Sequence, residues 1–338
     1  MNVLAHWHPA CLAETLGAVP LRVEIAGHFI AIYRTASGTV AALEDECPHR
    51  RMKLSLGEVI GKRLQCRYHG WTFDCDGQGE SPGTPKLHAC ATAYEVREER
   101  GVVWVRAQGS QSKFPDFQTD GFMHMCTLEH VANAPLEVAL DNFTEIEHTS
   151  TIHAIFGYQL ERMHEVTVEF RATEDSVRVI NAGPPKSLGK FLDWAVGIRK
   201  GDLFHDDWTT FFSPVYSVYD HWWQDPKTGR ESKVRWRLYM FVTPVNDRQS
   251  RVTTFSYAKS SWPVGFGGGL YWFKGVMREQ LNNEVQLDID ILNSLANYDT
   301  SIAGLKLSRF DKVLGLTRER IARLYRGGQK SLETVEVG

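Results

Sequence analysis

The sequence predicts an α+β protein, with a small all-β unit at the N-terminus and a larger second domain of strands followed by helices. Three observations predict it. Short apolar runs cut by Gly and small polar residues fill residues 20–45 and 94–105. Longer runs with alternation recur at 166–180, 235–242 and 251–257. Stretches poor in breakers, with Leu, Ile and Val at helical spacing, close the chain at 274–297 and 317–325.

The elements follow in order. Val23–Ile25, Phe29–Tyr33 and Val40–Leu43 read as strands separated at Gly27 and Gly38. Tyr94–Val96 and Val102–Val105 read as a hairpin about Glu99-Arg100-Gly101. The polar run Gln108–Ser112 reads as a linker, which divides the chain into 1–108 and 109–338. Asp141–Phe156 holds no Gly or Pro and predicts a helix that stops at Gly157. Alternation over Val166–Ile180 suggests strands, and two more are expected at Arg235–Val242 and Arg251–Tyr257 with a turn at Pro244–Asp247. Helices over 274–297 and Thr317–Tyr325 complete an α+β second domain. Gly265–Gly269 is rich in glycine but lacks a strand–turn–helix context, so it reads as a loop and not a nucleotide site.

Composition excludes several classes. A net charge of −3, from 38 Lys and Arg against 41 Asp and Glu, gives no bulk attraction to nucleic acid or anionic lipid. With 43% hydrophobic residues the chain can bury a core, which argues against disorder. No run approaches the roughly 20 apolar residues of a membrane helix. Residues 1–10 lack a basic segment followed by an apolar one, so no secretory signal is expected and a cytoplasmic location is. All six cysteines lie in the first 126 residues, whereas seven of the ten tryptophans lie beyond them. The two parts are therefore expected to do different chemistry.

The first constellation is Cys47-Pro-His49, then 16 residues, then Cys66-Arg-Tyr-His69. Thiolates and imidazoles suit zinc or iron–sulfur chemistry. Zinc sites usually pair Cys with Cys and His with His, but here each loop offers one of each. An iron pair with two Cys on one iron and two His on the other is a Rieske [2Fe–2S] centre, and two mixed loops reach both irons naturally. Cys11, Cys75, Cys90 and Cys126 lack partner spacing and read as buried apolar groups. The flanks Cys47-Pro-His-Arg50 and Cys66-Arg-Tyr-His-Gly-Trp71 resemble the cluster loops of the Rieske non-haem iron oxygenases, in their terminal (α) component. Gly79-Glu-Ser-Pro-Gly-Thr-Pro85 resembles the proline loop that covers the cluster in that family.

The second constellation is Asp141-Asn-Phe-Thr-Glu145-Ile-Glu-His148-Thr-Ser-Thr-Ile-His153. Two His and one carboxylate on one face of a metal form the facial triad of non-haem iron oxygenases. On an ideal helix positions 148 and 153 stand about 140° apart, so a distortion or a helix end is required between them. Glu145 and His148, three apart, share a face. The run resembles the D/E-x2-H-x4-H motif of the same family, which implies that His148 and His153 bind a mononuclear iron. It also implies that Glu145, where the family usually has Asp, is the acid bridging to the cluster histidine of a neighbouring subunit. The segment Leu287-Asp288-Ile-Asp290-Ile-Leu292 resembles the family's downstream carboxylate, which selects Asp288. Asp290 stands about 200° round the helix from it, and Glu284, one turn earlier on the same face, is the fallback.

The resemblance implies a Rieske domain over 1–108 and a helix-grip (START-like) catalytic domain with an antiparallel sheet over 109–338. It implies O2 as co-substrate, a homotrimer, and electrons that enter at the cluster and leave it through His49 or His69 and Glu145. The chain has no nicotinamide or flavin motif, so NAD(P)H would act only through a separate reductase or ferredoxin. Arg50, Arg51, Lys53, Lys62, Arg63 and Arg67 crowd the cluster loops and suit an acidic redox partner. The pattern is nearest the monooxygenase and demethylase type, which hydroxylates or removes O- or N-methyl groups from small organic molecules. Aromatic cis-dihydroxylation is the alternative within the family. An electron carrier with an inactive second domain and a zinc-binding interaction module are the alternatives from other classes. Trp222, Trp223, Trp236 and Phe241 are candidates for an aromatic pocket, although residues of this size more often fill a core.

Overall fold

The structure, a computed structural model, describes residues 3–261 and 274–328. The glycine run 265–269 lies outside them. The described residues divide into two compact units, Met1–Pro115 with Thr243–Asp247, and Asp116–Val242 with Arg248–Gly338.

The first unit holds β1 (His8–Leu12), β2 (Leu21–Ile25), β3 (His28–Arg34), β4 (Val40–Glu44), β5 (Glu58–Ile60), β6 (Arg63–Gln65), β7 (Thr72–Phe73), β8 (Gln78–Glu80), β9 (Ala89–Cys90), β10 (Ala93–Glu99) and β11 (Val102–Ala107). They form an antiparallel sheet in the order β1-β11-β10-β4-β3-β2 and a smaller one in the order β5-β6-β7-β8-β9. Strand alternation builds two cores from one sheet. On β3, Ile30 and Ile32 join Val23, Ile25 and Val103 on one face. Ala31 and Tyr33 point the other way, toward Leu54, Leu64, Phe73 and the two cluster-loop cysteines.

The unit extends to Pro115, beyond the expected linker at 108–112. Its last residues are fastened down. Ser112 Oγ donates to Ala5 O at 2.6 Å, and the Phe114 ring meets Trp7 and Trp104 edge-on at 5.6 and 5.0 Å. The turn expected at Pro244–Asp247 shrinks to Asp247–Arg248, and the strand before it runs on through Pro244. Proline lacks a donor but keeps its acceptor. Pro244 O takes the Ala26 N–H at 2.7 Å and Val245 O takes that of Gly27 at 2.8 Å.

The second unit contributes β12 (Met123–Ala132), α1 (Leu136–Asn142), β13 (Thr167–Ala172), β14 (Ser176–Gly183), α2 (Lys190–Val196), β15 (Leu203–Phe212), β16 (Val215–Gln224), β17 (Val234–Asn246), β18 (Gln249–Ser260), α3 (Lys274–Asn293) and α4 (Val313–Arg320), the last continuing as a π turn at Ile321–Tyr325. The strands make one antiparallel sheet in the order β12-β18-β17-β16-β15-β14-β13. The helix α3 lies against β12 and α1 in the expected helix-grip manner. Its buried residues Leu281, Glu284, Val285, Asp288, Ile289 and Leu292 recur at helical spacing and form one stripe.

The helix expected over Asp141–Phe156 is not there. It ends at Asn142, and only a single 3₁₀ turn forms later, at His148–Ser150. The cause is local. Thr144, Thr149, Ser150 and Thr151 each donate a hydroxyl to a carbonyl three or four residues back, and such bonds compete with helical ones.

Candidate metal centres

The two cysteine–histidine loops are built alike. In the first, which follows β4, Cys47 N–H donates to Met52 O and Arg51 N–H donates back to Cys47 O, both at 2.8 Å. In the second, between β6 and β7, Cys66 N–H donates to Trp71 O at 2.7 Å and Gly70 N–H to Cys66 O at 3.0 Å. The fifth residue of each loop turns the chain with positive φ, 57° at Arg51 and 71° at Gly70. Glycine takes this region freely, whereas other residues are strained there. Pro82 of the predicted proline loop closes over the second loop, with Cγ 3.8 Å from where a Cβ on Gly70 would stand.

Each loop buries its cysteine and exposes its histidine. Cys47 and Cys66 are 1% and 2% exposed, whereas His49 and His69 reach solvent with rings 4.5 Å apart. Trp71 stacks on His49 at 4.7 Å. Burial pushes the Cys47 thiol up to about 11, while the N–H groups of His49 and Arg50 at its sulfur pull the other way. Desolvation, His49 and Arg50 lower the His69 imidazole and so favour its neutral, metal-binding form. Two sulfurs inside and two imidazoles outside fit a cluster with one Cys-bound and one His-bound iron.

The first loop is anchored by Asp45. Its carboxylate takes the Ser55 N–H at 2.6 Å, the Ser55 hydroxyl at 2.9 Å and Arg22 Nε at 2.9 Å, all with the side chain buried. Replacing Asp45 with Ala strands the Ser55 donors. A loss of about 2–3 kcal/mol is expected in the denaturant unfolding of the protein.

Of the six basic residues around the loops, Arg50, Arg51, Lys53, Lys62 and Arg67 are exposed. Arg63 departs from the expected docking role. It is half-buried and ties Thr72, Gln78 and Glu80 together across the small sheet. Two of the remaining cysteines correct the apolar reading, since Cys90 is exposed and Cys75 half-buried, while Cys11 and Cys126 are buried.

In the second unit His148, His153 and Asp288 converge, with donor atoms all within 4.8 Å of one another. The two Nε2 atoms are 3.1 Å apart, and each lies 3.3 Å from Asp288 Oδ1. The irregular loop makes this possible. Freed from a helix, the two imidazoles need not stand about 140° apart. The loop is held by Lys186, whose Nζ donates to Thr149 O at 2.9 Å and His153 O at 2.7 Å. Gly157 is required beside it, because a Cβ there would meet Thr149 O at 2.6 Å.

Each imidazole is gripped from behind. Glu145 Oε1 bonds His148 Nδ1, and its other oxygen takes the Glu147 N–H at 2.6 Å. Glu284 Oε2 lies 2.8 Å from His153 Nδ1 and takes the Ala154 N–H at 3.2 Å. Asn142 Nδ2 donates to Asp288 Oδ1 at 2.9 Å. Glu284 therefore sits at the site behind a histidine, whereas Asp290 is exposed and bonds Gln286. The sequence pattern marks neither Asn142 nor this place for Glu284. The only signal for Glu284 was its spacing of four from Asp288 on one helix face.

Burial alone would lower both imidazoles. The bonds to Asp288 and to the acid behind each outweigh it and raise His148 to about 10 and His153 to about 9. Burial also opposes ionisation of Asp288, but the two imidazoles overcome it and lower that carboxyl. Two imidazole nitrogens and one carboxylate oxygen at a single point suit a divalent first-row ion, so the residues fit a mononuclear iron. Such an ion competes with protons for the imidazoles. Iron retained after dialysis is expected to fall from pH 8 to pH 6. Glu284→Gln is expected to weaken iron binding about 10- to 100-fold, read as iron lost to a chelator, with the visible absorbance of the first centre unchanged.

The donors open on a cavity walled by Phe143, Phe156, Tyr219, Leu238, Met240 and Leu281. The tryptophans do not line it. Trp223 and Trp236 pack behind Phe156, Trp222 stacks on His205 across the sheet, and Phe241 lies in the core against Tyr216 and Phe255.

Comparison with known proteins agrees with this geometry. Residues 6–95 match the Rieske [2Fe-2S] domain family, and residues 132–265 match the vanillate O-demethylase oxygenase C-terminal domain family. The chain belongs to the Rieske oxygenases. This Rieske oxygenase is 33% identical over 198 residues to the vanillate O-demethylase oxygenase subunit of Pseudomonas sp. (strain ATCC 19151), covering 54% of the chain and 57% of that protein. It is 31% identical over 186 residues to protein TIC 55, chloroplastic, of Arabidopsis thaliana, covering 51% of the chain and 34% of that protein. The matched region thus spans between about a third and three-fifths of these two relatives. The fold is that of dicamba monooxygenase, solved bound to 3,6-dichlorosalicylic acid. The TM-score is 0.80 at 20% identity, over 96% of this chain and 98% of that one. Membership implies a [2Fe–2S] cluster, iron and O2.

Proposed function

We propose that this Rieske oxygenase is the terminal component of a multicomponent system that hydroxylates a C–H bond of a small organic substrate, with oxidative O- or N-demethylation as the form most favoured. The convergence of His148, His153 and Asp288 on a largely apolar cavity carries the reading. A carrier of electrons alone needs no such second site. The names of related proteins, among them vanillate O-demethylase and methylxanthine N1-demethylase, support the demethylase form.

The bound irons supply electron storage at the first centre and O2 activation at the second. The reaction consumes O2, two electrons and two protons, and yields the hydroxylated product and water. Hydroxylation of a methyl ether or N-methyl group gives an unstable adduct that releases formaldehyde. The residues of the chain supply the positioning. Glu145 and Glu284 fix the imidazoles at Nδ1, Asn142 orients Asp288, and Phe143, Phe156 and Leu281 exclude water. We assign Cys47, His49, Cys66 and His69 to the cluster, and Glu145 to the bridge toward the cluster histidine of a neighbouring chain in a homotrimer. A separate cytoplasmic reductase or ferredoxin would deliver the electrons from NAD(P)H, with the exposed cations about the cluster loops as its docking rim.

The test is O2 uptake and product mass spectrometry over methyl ethers, N-methyl compounds and arenes, with a generic reductase. About three iron atoms per chain and formaldehyde in proportion to O2 consumed are expected. About two iron atoms and no substrate-dependent O2 uptake would establish an electron carrier instead. Diol products from arenes would establish the dihydroxylase.

A further inference from the structure

The strands β15 and β16 place Asp206 directly opposite His221. His221 Nε2 and Asp206 Oδ1 are 2.9 Å apart, and both residues are buried, 6% and 7% exposed. Both line the cavity that holds the three converging donors. Everything else on that wall is apolar or has an internal role. Tyr219 donates its hydroxyl to Phe143 O, and Leu238 and Met240 carry no donor. His221 Nδ1 is different, being buried with no hydrogen-bond partner. Phe156 lies beside the ring at 4.9 Å. A buried nitrogen without a partner is costly in a cavity that serves no ligand, and a ligand that bonds it recovers the cost.

Asp206 decides which ligand. In the neutral imidazole, an aspartate at Nε2 accepts the Nε2–H, which leaves a bare lone pair at Nδ1. On this cavity-lining ring the nitrogen left without a partner is then an acceptor, which calls for an O–H or N–H. The charges around it point the same way. Four acids line the cavity, Glu145, Asp206, Glu284 and Asp288, and among the described residues no Lys or Arg does. A substrate carboxylate would find no Lys or Arg on this lining to pair with.

We propose that His221, oriented by Asp206, is the substrate-recognition residue of this cavity, and that it accepts a hydrogen bond from the hydroxyl or N–H of an uncharged substrate with an apolar body. The proposal rests on the oxygenase reading and adds the chemical class of its substrate. Asp206 is the positioning residue, and His221 is the one that touches the ligand.

The test is equilibrium binding to the iron-loaded protein under nitrogen, without an electron donor, so that no turnover is needed. Trp223 and Trp236, with rings 6.5 and 5.8 Å from that of Phe156, provide an intrinsic fluorescence signal. The probes are 4-methoxyphenol, 1,4-dimethoxybenzene and 4-methoxybenzoate. The phenol is expected to bind at least about tenfold more tightly than either of the others. His221→Phe should bring the phenol down to the level of the diether and leave the diether unchanged. His221→Gln, which restores an acceptor, should recover part of the preference and also guards against a folding defect in the first variant. Equal binding of phenol and diether, tighter binding of the benzoate, no binding of any probe, or a preference that His221→Phe leaves intact overturns the assignment. Iron measured in the same samples separates the two levels. A full complement with a failed titration removes this inference alone, whereas a missing third iron removes the oxygenase reading beneath it.

Discussion

Replacing His153 with alanine is expected to abolish turnover while leaving the protein coloured. His153 supplies one of three donors at the second centre, and the remaining pair, His148 and Asp288, offers too few protein ligands for a stable facial site. Iron should drop from about three atoms per chain to about two, and substrate-dependent O2 uptake should fall by at least about a thousandfold. The visible absorbance of the cluster should be unchanged, because no residue of its two loops is altered. Glu284 loses its imidazole partner in the variant but keeps the Ala154 N–H, so the fold should survive. Retention of all three irons would move the ligand set elsewhere and remove His153 from the centre.

Cys66→Ser should have the opposite signature. Cys66 is buried among Leu64, Trp71 and Phe73, and a serine hydroxyl is a far poorer ligand for iron than a thiolate. The visible absorbance is expected to vanish and iron to fall to about one atom per chain. Substrate binding in the second unit should be unaffected. The serine is also left as a polar group in an apolar pocket, so a stability loss of about 1–3 kcal/mol should accompany the bleaching, read by thermal denaturation. A coloured Cys66→Ser protein would exclude this residue from the cluster.

The sequence made the metal chemistry legible because it is carried by residue type and short spacing. Cys47, His49, Cys66 and His69 sit in two loops whose geometry is local, so the pattern predicts their convergence. Asp288 came from a single downstream segment and proved to be the carboxylate that meets both imidazoles. The chain departs from the helix expected over Asp141–Phe156 for an identifiable reason. Absence of Gly and Pro favours a helix, but four Ser and Thr hydroxyls satisfy the carbonyls in another way, and the Glu145 carboxylate takes the Glu147 N–H. That failure is what lets His148 and His153 share one point. The pocket wall was not legible at all. Tyr219, Leu238 and Met240 meet only because β16 and β17 pair in a particular register, and register is a tertiary property without a local motif. His221 and Asp206, fifteen residues apart in the chain, become neighbours for the same reason.

The stripe along α3 has a mechanical side. Leu281 and Val285, which face the ligand cavity, and Glu284 and Asp288, which serve the metal donors, alternate along two turns of one helix. A 20-residue helix is a stiff rod about 30 Å long. Anything that presses on Leu281 leans on the bar that also carries Asp288, and nothing soft separates the two. Leu281 and Asp288, two turns apart on one face of the rod, therefore stand at a fixed spacing of roughly 10 Å along it.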